Sequence, residues 1–147
     1  MRIAIACDHA ALDHKRAIRA HLEAQGHQVA DFGTDSTASC DYPDHAAPAC
    51  AAVIDGRADR ALLICGSGIG ISIAANKVRG MRCALAYNVE TARLAAEHND
   101  ARALALGARF IPLPTALAMV DAWLTATFET RHQRRIDKIT ALEQRPC

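Results

Sequence analysis

Aromatic side chains are scarce in this 147-residue chain, which carries one Trp, two Tyr and three Phe. Half of its residues are nevertheless apolar, and many of these are alanine. Small side chains in that number suit helices packed closely on a sheet. An excess of charge is also missing, with 17 Lys and Arg against 16 Asp and Glu. That balance excludes the broad electrostatic footprint of a nucleic-acid or anionic-membrane partner, so any anion site must come from local placement of cations. No apolar run is long enough to span a bilayer. The first, Ile3 to Cys7, has the length of a strand, reads as no secretory leader and runs straight into Asp8-His9. The six cysteines (Cys7, Cys40, Cys50, Cys65, Cys83 and Cys147) contain no C-x-x-C pair and no zinc-like spacing. Reduced thiols in a cytoplasm are therefore expected, with no metal site.

Strand and helix signals alternate along the chain. Arg2 to Cys7, His27 to Phe32, Ala61 to Ile64, Met81 to Ala86 and Ala103 to Leu106 read as five strands. Between and after them, helices are expected over Leu12–Gln25, from a capping Asp44 to about Gly56, over Ile69–Val78, Val89–His98 and Pro114–Leu124. A basic terminal helix covers about 131–143. The continuous apolar run Ala61-Leu62-Leu63-Ile64 is of the kind found in parallel strands covered on both faces. The βαβαβαβαβα order predicts one domain over residues 1–147, a Rossmann-like α/β three-layer sandwich with a five-stranded parallel sheet and helices on both faces. In such sheets ligands gather outside the carboxyl ends of the strands. Asp8-His9, the turn from Cys65 to Gly70 and the Asn88 region are the polar clusters expected there.

Glycines at 66, 68 and 70 do not make the dinucleotide fingerprint, because Ile71 stands where its third glycine belongs. A nucleotide P-loop also fails, since Lys77 lies well inside the following helix. What the turn offers is backbone N–H groups at a helix start, free to meet an anion. Cys65 beside that positive pole is expected to have a lowered thiol pKa. A base next to an oxyanion site is the minimum apparatus for taking a proton from carbon beside a carbonyl. The same residues also fit a tight turn with a buried structural cysteine.

Other groups carry two readings as well. His98-Asn99 suits a helix C-terminus, where His complements the dipole and Asn stops the helix. Arg131 and Arg135, four apart, suit either a solvated face or a pair of guanidiniums aimed at one phosphate. Arg109 is an isolated cation after the fifth strand, and Asp41-Tyr42-Pro43-Asp44 is a turn leading into a helix.

Taken in order, Cys7-Asp8-His9-Ala10, Asp41-Tyr42-Pro43-Asp44, the run Ile64-Cys65-Gly66-Ser67-Gly68-Ile69-Gly70 through Asn76-Lys77, Glu97-His98-Asn99-Asp100, Leu106-Gly107-Ala108-Arg109 and Arg131-His132-Gln133-Arg134-Arg135 resemble the type B ribose-5-phosphate isomerase family, which includes galactose-6-phosphate and allose-6-phosphate isomerases. The resemblance covers almost the whole chain. It implies a cofactor-independent aldose–ketose isomerase acting on a small phosphosugar, working as a homodimer or dimer of dimers with sites at a subunit interface. By the same resemblance Cys65 is the base, Ser67 and the backbone from Gly66 through Gly68, Ile69 and Gly70 hold the enediolate, and His98 opens the furanose ring with Asp8. Asn99 then binds a sugar oxygen and Tyr42 lines the site. His9, Arg109, Arg131 and Arg135 hold the phosphate. Apolar Ile71 stands where one branch of the family has a catalytic Glu, which places this chain with the cysteine-dependent branch. Two departures are visible: Thr130-Arg131-His132 contracts the family's G-G-R-H, and Ser67 replaces a common Thr. Ribose 5-phosphate and ribulose 5-phosphate, interconverted through a cis-enediol, are the leading pair the resemblance implies. A four- or six-carbon phosphosugar, or a non-catalytic sugar-phosphate-binding subunit, are the alternatives.

Overall fold

The computed structural model describes residues 1–143, so Cys147 lies outside the described residues. The expected alternation is observed as β1 (Arg2–Cys7), α1 (Leu12–Ala24), β2 (Gln28–Asp31), α2 (Tyr42–Ile54), β3 (Arg60–Cys65), α3 (Ile69–Ala75), β4 (Cys83–Leu85), α4 (Val89–Asn99), β5 (Ala103–Gly107), α5 (Leu113–Thr125) and α6 (Gln133–Leu142). Short 3-10 turns at His9–Ala11 and Thr130–His132 lead into α1 and α6. The five strands pair in parallel, in the order β2-β1-β3-β5-β4.

Each central strand is apolar on both faces, and its two-residue period sorts large from small side chains. Ile3, Ile5, Leu62, Ile64, Leu104 and Leu106 form one face, packed with Ile18 and Leu22 of α1, Ala92 of α4 and Trp123 of α5. Ala4, Ala6, Ala61, Leu63, Cys65, Ala103 and Ala105 form the other, under Ala46, Ala49 and Cys50 of α2 and Ile71 of α3. Alanine against alanine lets α2 lie close to the sheet, which is the use of the chain's alanine excess.

Several boundaries differ from the sequence reading. Helix α2 begins at Tyr42 with Asp41 at its N-cap, so Asp44 sits in the first turn instead of capping it. Helix α3 stops at Ala75, because the Asn76 side chain turns to β4: its amide accepts from Cys83 N–H at 3.0 Å and donates to the Cys83 carbonyl at 2.9 Å. This shortens β4 to three residues where six were expected. Asn88 caps α4 in a reciprocal pairing with Thr91.

From β1 the chain passes to β2 on one side of the sheet, whereas β3 lies on the other side of β1. The carboxyl ends of β1 and β3 therefore flank a topological switch point, where an α/β sheet leaves a crevice. The Asp8 N–H donates to the Ile64 carbonyl at 3.2 Å, holding the two strand ends side by side.

Candidate active site

The crevice is a cavity of about 200 Å³ lined by Asp8, His9, Ala10, Tyr42, Cys65, Gly66, Ser67, Gly70 and Arg109. Three strand ends deliver these groups. β1 supplies Asp8 and His9, β3 supplies the glycine turn, and β5 supplies Arg109, whose N–H donates to the Gly66 carbonyl at 3.0 Å. Sequence reading expected the Asn88 region at this end; the cavity takes its third wall from β5 instead, since β5 lies next to β3.

Cys65 is buried at the end of β3, and the Gly68 N–H donates to its Sγ at 3.1 Å. Gly68 has φ +79°, a left-handed conformation that glycine adopts without strain and that aims this N–H back at the sulfur. The Ile69 N–H donates to Ser67 Oγ at 3.3 Å. Two of the amides expected to meet an anion are thus engaged inside the turn, where they orient the thiol and the hydroxyl. Gly70 is required for a different reason. A Cβ there would stand 2.4 Å from Cζ of Tyr42, so only glycine lets that ring lie across the turn.

Asp8 is buried, and its Oδ1 accepts from the Ala10 N–H at 3.0 Å, which opens the 3-10 turn carrying His9. His9 Nδ1 accepts from the Cys40 N–H at 3.1 Å. A ring nitrogen that accepts carries no proton, so His9 presents Nε2–H, a donor suited to an anion. The loop that supplies this contact is anchored from below by Lys15, a residue the sequence reading missed. Its ammonium is fully buried, 2.8 Å from Asp31, 2.9 Å from Asp35 and 2.8 Å from the Thr34 carbonyl. Burial pulls this ammonium down, but the hydrogen bonds from it to Asp31 and Asp35 together hold it above the ordinary lysine value. A lysine in a helix with mostly charged neighbours gives no hint of this in the sequence.

His98 and Asn99 do not reach the cavity of their own protomer. They end α4 beside Asp100 and Ala101, at the amino end of β5, whereas Cys65 lies at the carboxyl end of β3. Five residues of β5 at roughly 3.3 Å each put the two ends roughly 15 Å apart. Asp100, not Asn99, is the residue that stops the helix, at φ 43°. Arg131 and Arg135 lie near His98. Arg131 pairs with Glu129 at 2.5 Å, and Arg135 Nη1 donates to His132 Nδ1. They belong to the 3-10 turn and to α6 respectively, not to one uninterrupted helix.

His98, Glu129 and His132 bring potential metal-donor atoms within 4.8 Å of one another. The surrounding arginines disfavour a cation there. Arg131 already occupies the carboxylate. The Arg135 guanidinium can only donate, so His132 Nδ1 must accept and its proton sits on Nε2, the nitrogen a metal would need.

No helix of the described residues is long and apolar enough to cross a membrane. The profile of the family described as Ribose/Galactose Isomerase matches residues 3–139. Ribose-5-phosphate isomerase B of Escherichia coli is 46% identical over 145 residues, covering 98% of this chain and 97% of its own. A solved structure of ribose-5-phosphate isomerase B from Clostridium thermocellum superposes with a TM-score of 0.96 at 48% identity, covering 98% of both chains. That of the Mycoplasma genitalium enzyme with bound ribulose-5-phosphate superposes at 0.94 and 40% identity, covering 99% of this chain and 97% of that one. With Cys65 and its glycine turn at the switch point and likeness along nearly its full length, the chain belongs to the ribose/galactose isomerase family.

Proposed function

We propose that this protein interconverts ribose 5-phosphate and ribulose 5-phosphate through a cis-enediol, without a cofactor. The observation that carries this reading is Cys65 Sγ held by the Gly68 N–H in a cavity that also contains Ser67, the His9 donor and Arg109. In the open-chain aldose the Cys65 thiolate takes the proton from C2, and charge moves to O1. A proton passes from O2 to O1, and the Cys65 thiol, which exchanges with solvent, gives a proton to C1. O2 becomes the carbonyl. Ser67 and the backbone between Gly66 and Gly70 hold the enediolate oxygens as charge develops, the Gly68 and Ile69 N–H groups passing to them from Cys65 Sγ and Ser67 Oγ. His9 and Arg109 hold the phosphate from one protomer, and Tyr42 closes over the sugar.

The distance between His98 and Cys65 supports a second part of the proposal. The working unit is a homodimer, or a dimer of such dimers, formed from residues 1–147 as one isomerase domain in the cytoplasm. The region of about 131–143 contributes to the subunit contact. Across it the partner copy supplies the His98 ring-opening imidazole, the Asn99 amide and the Arg131 and Arg135 guanidiniums, while Asp8 assists ring opening from its own protomer.

Replacing Cys65 with Ser is expected to lower turnover of ribose 5-phosphate by about 10²–10⁴, the range for a positioned base. Near-normal turnover in that variant overturns the assignment. Comparing kcat/KM for four-, five- and six-carbon phosphates then tests the sugar, and a preference for a length other than five moves the reading to that substrate.

A further inference from the structure

Glu129, which the reaction scheme above leaves without a role, stands at the centre of a cluster of side chains. Its Oε2 lies 2.5 Å from Arg131 Nη2, 3.5 Å from His132 Nε2 and 3.7 Å from His98 Nε2. The two imidazoles stack with centroids 4.3 Å apart and a 39° tilt. His132 is buried, and its Nε2 finds no hydrogen-bond partner among the described residues. With its proton fixed on Nε2 by the Arg135 donor, that nitrogen lies beside the same carboxylate without a hydrogen bond to it. The main chain fixes the carboxylate's place, since the Glu129 N–H donates to the Glu97 carbonyl at 2.8 Å, one residue from His98.

We propose that Glu129 is the positioning residue of His98, holding its Nε2 side and supplying the countercharge while the ring carries a proton to the sugar. This rests on the ring-opening role given to His98 above. In ring opening the C1–O4 bond breaks, O1 loses its proton to a base, and O4 takes the proton that His98 delivers. Glu129 touches none of these atoms. It turns Nε2 inward so that Nδ1 exchanges the proton, and Arg131 holds the carboxylate from its other side. A carboxylate that orients an imidazole and offsets its charge is a recurrent arrangement in general acid–base sites.

The chemistry of the two substrates provides the test. Ribose 5-phosphate is a furanose that must open before C2 becomes acidic. Ribulose 5-phosphate has its C5 oxygen blocked by phosphate, cannot close a five-membered ring onto C2, and is already open. Wash-in of solvent deuterium at its C1, read by NMR, therefore needs Cys65 but not His98. Glu129→Gln preserves shape and backbone bonds while removing the charge. Its turnover of ribose 5-phosphate is expected to fall by about tenfold or more, with deuterium wash-in changed by less than about twofold. Equal loss of both rates, or unchanged turnover, overturns the positioning role. Absence of wash-in in the unsubstituted protein, or its persistence in Cys65→Ser, instead overturns the proton-transfer reading beneath it.

Discussion

The five cysteines of the described residues are free thiols in sharply different surroundings. Burial pushes Cys7 up to about 12 and Cys50 up to about 11, and it raises Cys83 as well. Cys40 is partly exposed beside His9. An alkylating reagent near neutral pH is therefore expected to modify Cys40 while the fully buried Cys7 and Cys50 react only after unfolding, as read by peptide mass spectrometry. Labelling of Cys50 in folded protein contradicts that ordering. Gly70 makes a second residue-level case. Gly70→Ala displaces the Tyr42 ring, and KM is expected to rise about tenfold, the worth of one well-made polar contact, with a smaller change in kcat. Steady-state kinetics with ribose 5-phosphate distinguishes this from a fall in kcat alone.

At the scale of elements, the strands and helices were legible because their apolar periods are strong and their stops are marked. Gly26 and Gly56 both adopt positive φ just past helix ends, as a C-terminal stop requires. Boundaries set by side chains from elsewhere were not legible. Asn76 ends α3 through bonds to β4, and nothing near position 76 announces that its side chain bonds to the strand seven residues on. The candidate site divides in the same way. Asp8, His9, Tyr42, the turn and Arg109 converge because topology brings their strand ends together, whereas the place of His98 depends on where α4 ends. Lys15 was invisible for the reason Asn76 was, since its partners lie at the end of β2 and on the loop after it, sixteen or more residues away. Lys15→Met leaves Asp31 facing Arg19 alone and frees the loop that orients His9. A cost of about 1–3 kcal/mol is expected, less than for a fully buried pair because Asp35 is exposed. Thermal unfolding should register this as a Tm lower by about 3–10 °C.

For the whole molecule, acid stability follows from the groups around Glu129. Burial, reinforced by the charges of Arg131, His98 and Arg135, holds His132 below the ordinary histidine value. The unfolded chain takes up that proton near pH 6.5 and the folded chain only at lower pH, so stability falls as pH drops through this window. Glu129, held low by Arg131, Asp59 by Arg2 and Asp35 by Lys15 add losses of the same sign at lower pH, as each carboxylate protonates. Tm is expected to decline from just below pH 7, and His132→Gln is expected to flatten the first part of that decline. The shared site has its own test. When the inactive variants Cys65→Ser and His98→Asn are unfolded and refolded together, half of the dimers carry both chains and one intact site each, restoring about a quarter of normal activity. No recovery means that each protomer holds its site alone.

The strand order has a consequence for how copies of this protein can meet. The outermost strands are the two shortest, β2 with four residues and β4 with three, and both flank longer central strands. Each rim therefore exposes few unpaired backbone groups, too short a template for another sheet to continue or for a fibril to grow. Association is left to helical surfaces, where side chains choose the neighbour, so the geometry that guards against indiscriminate sheet extension also confines self-recognition to faces the sequence can tune.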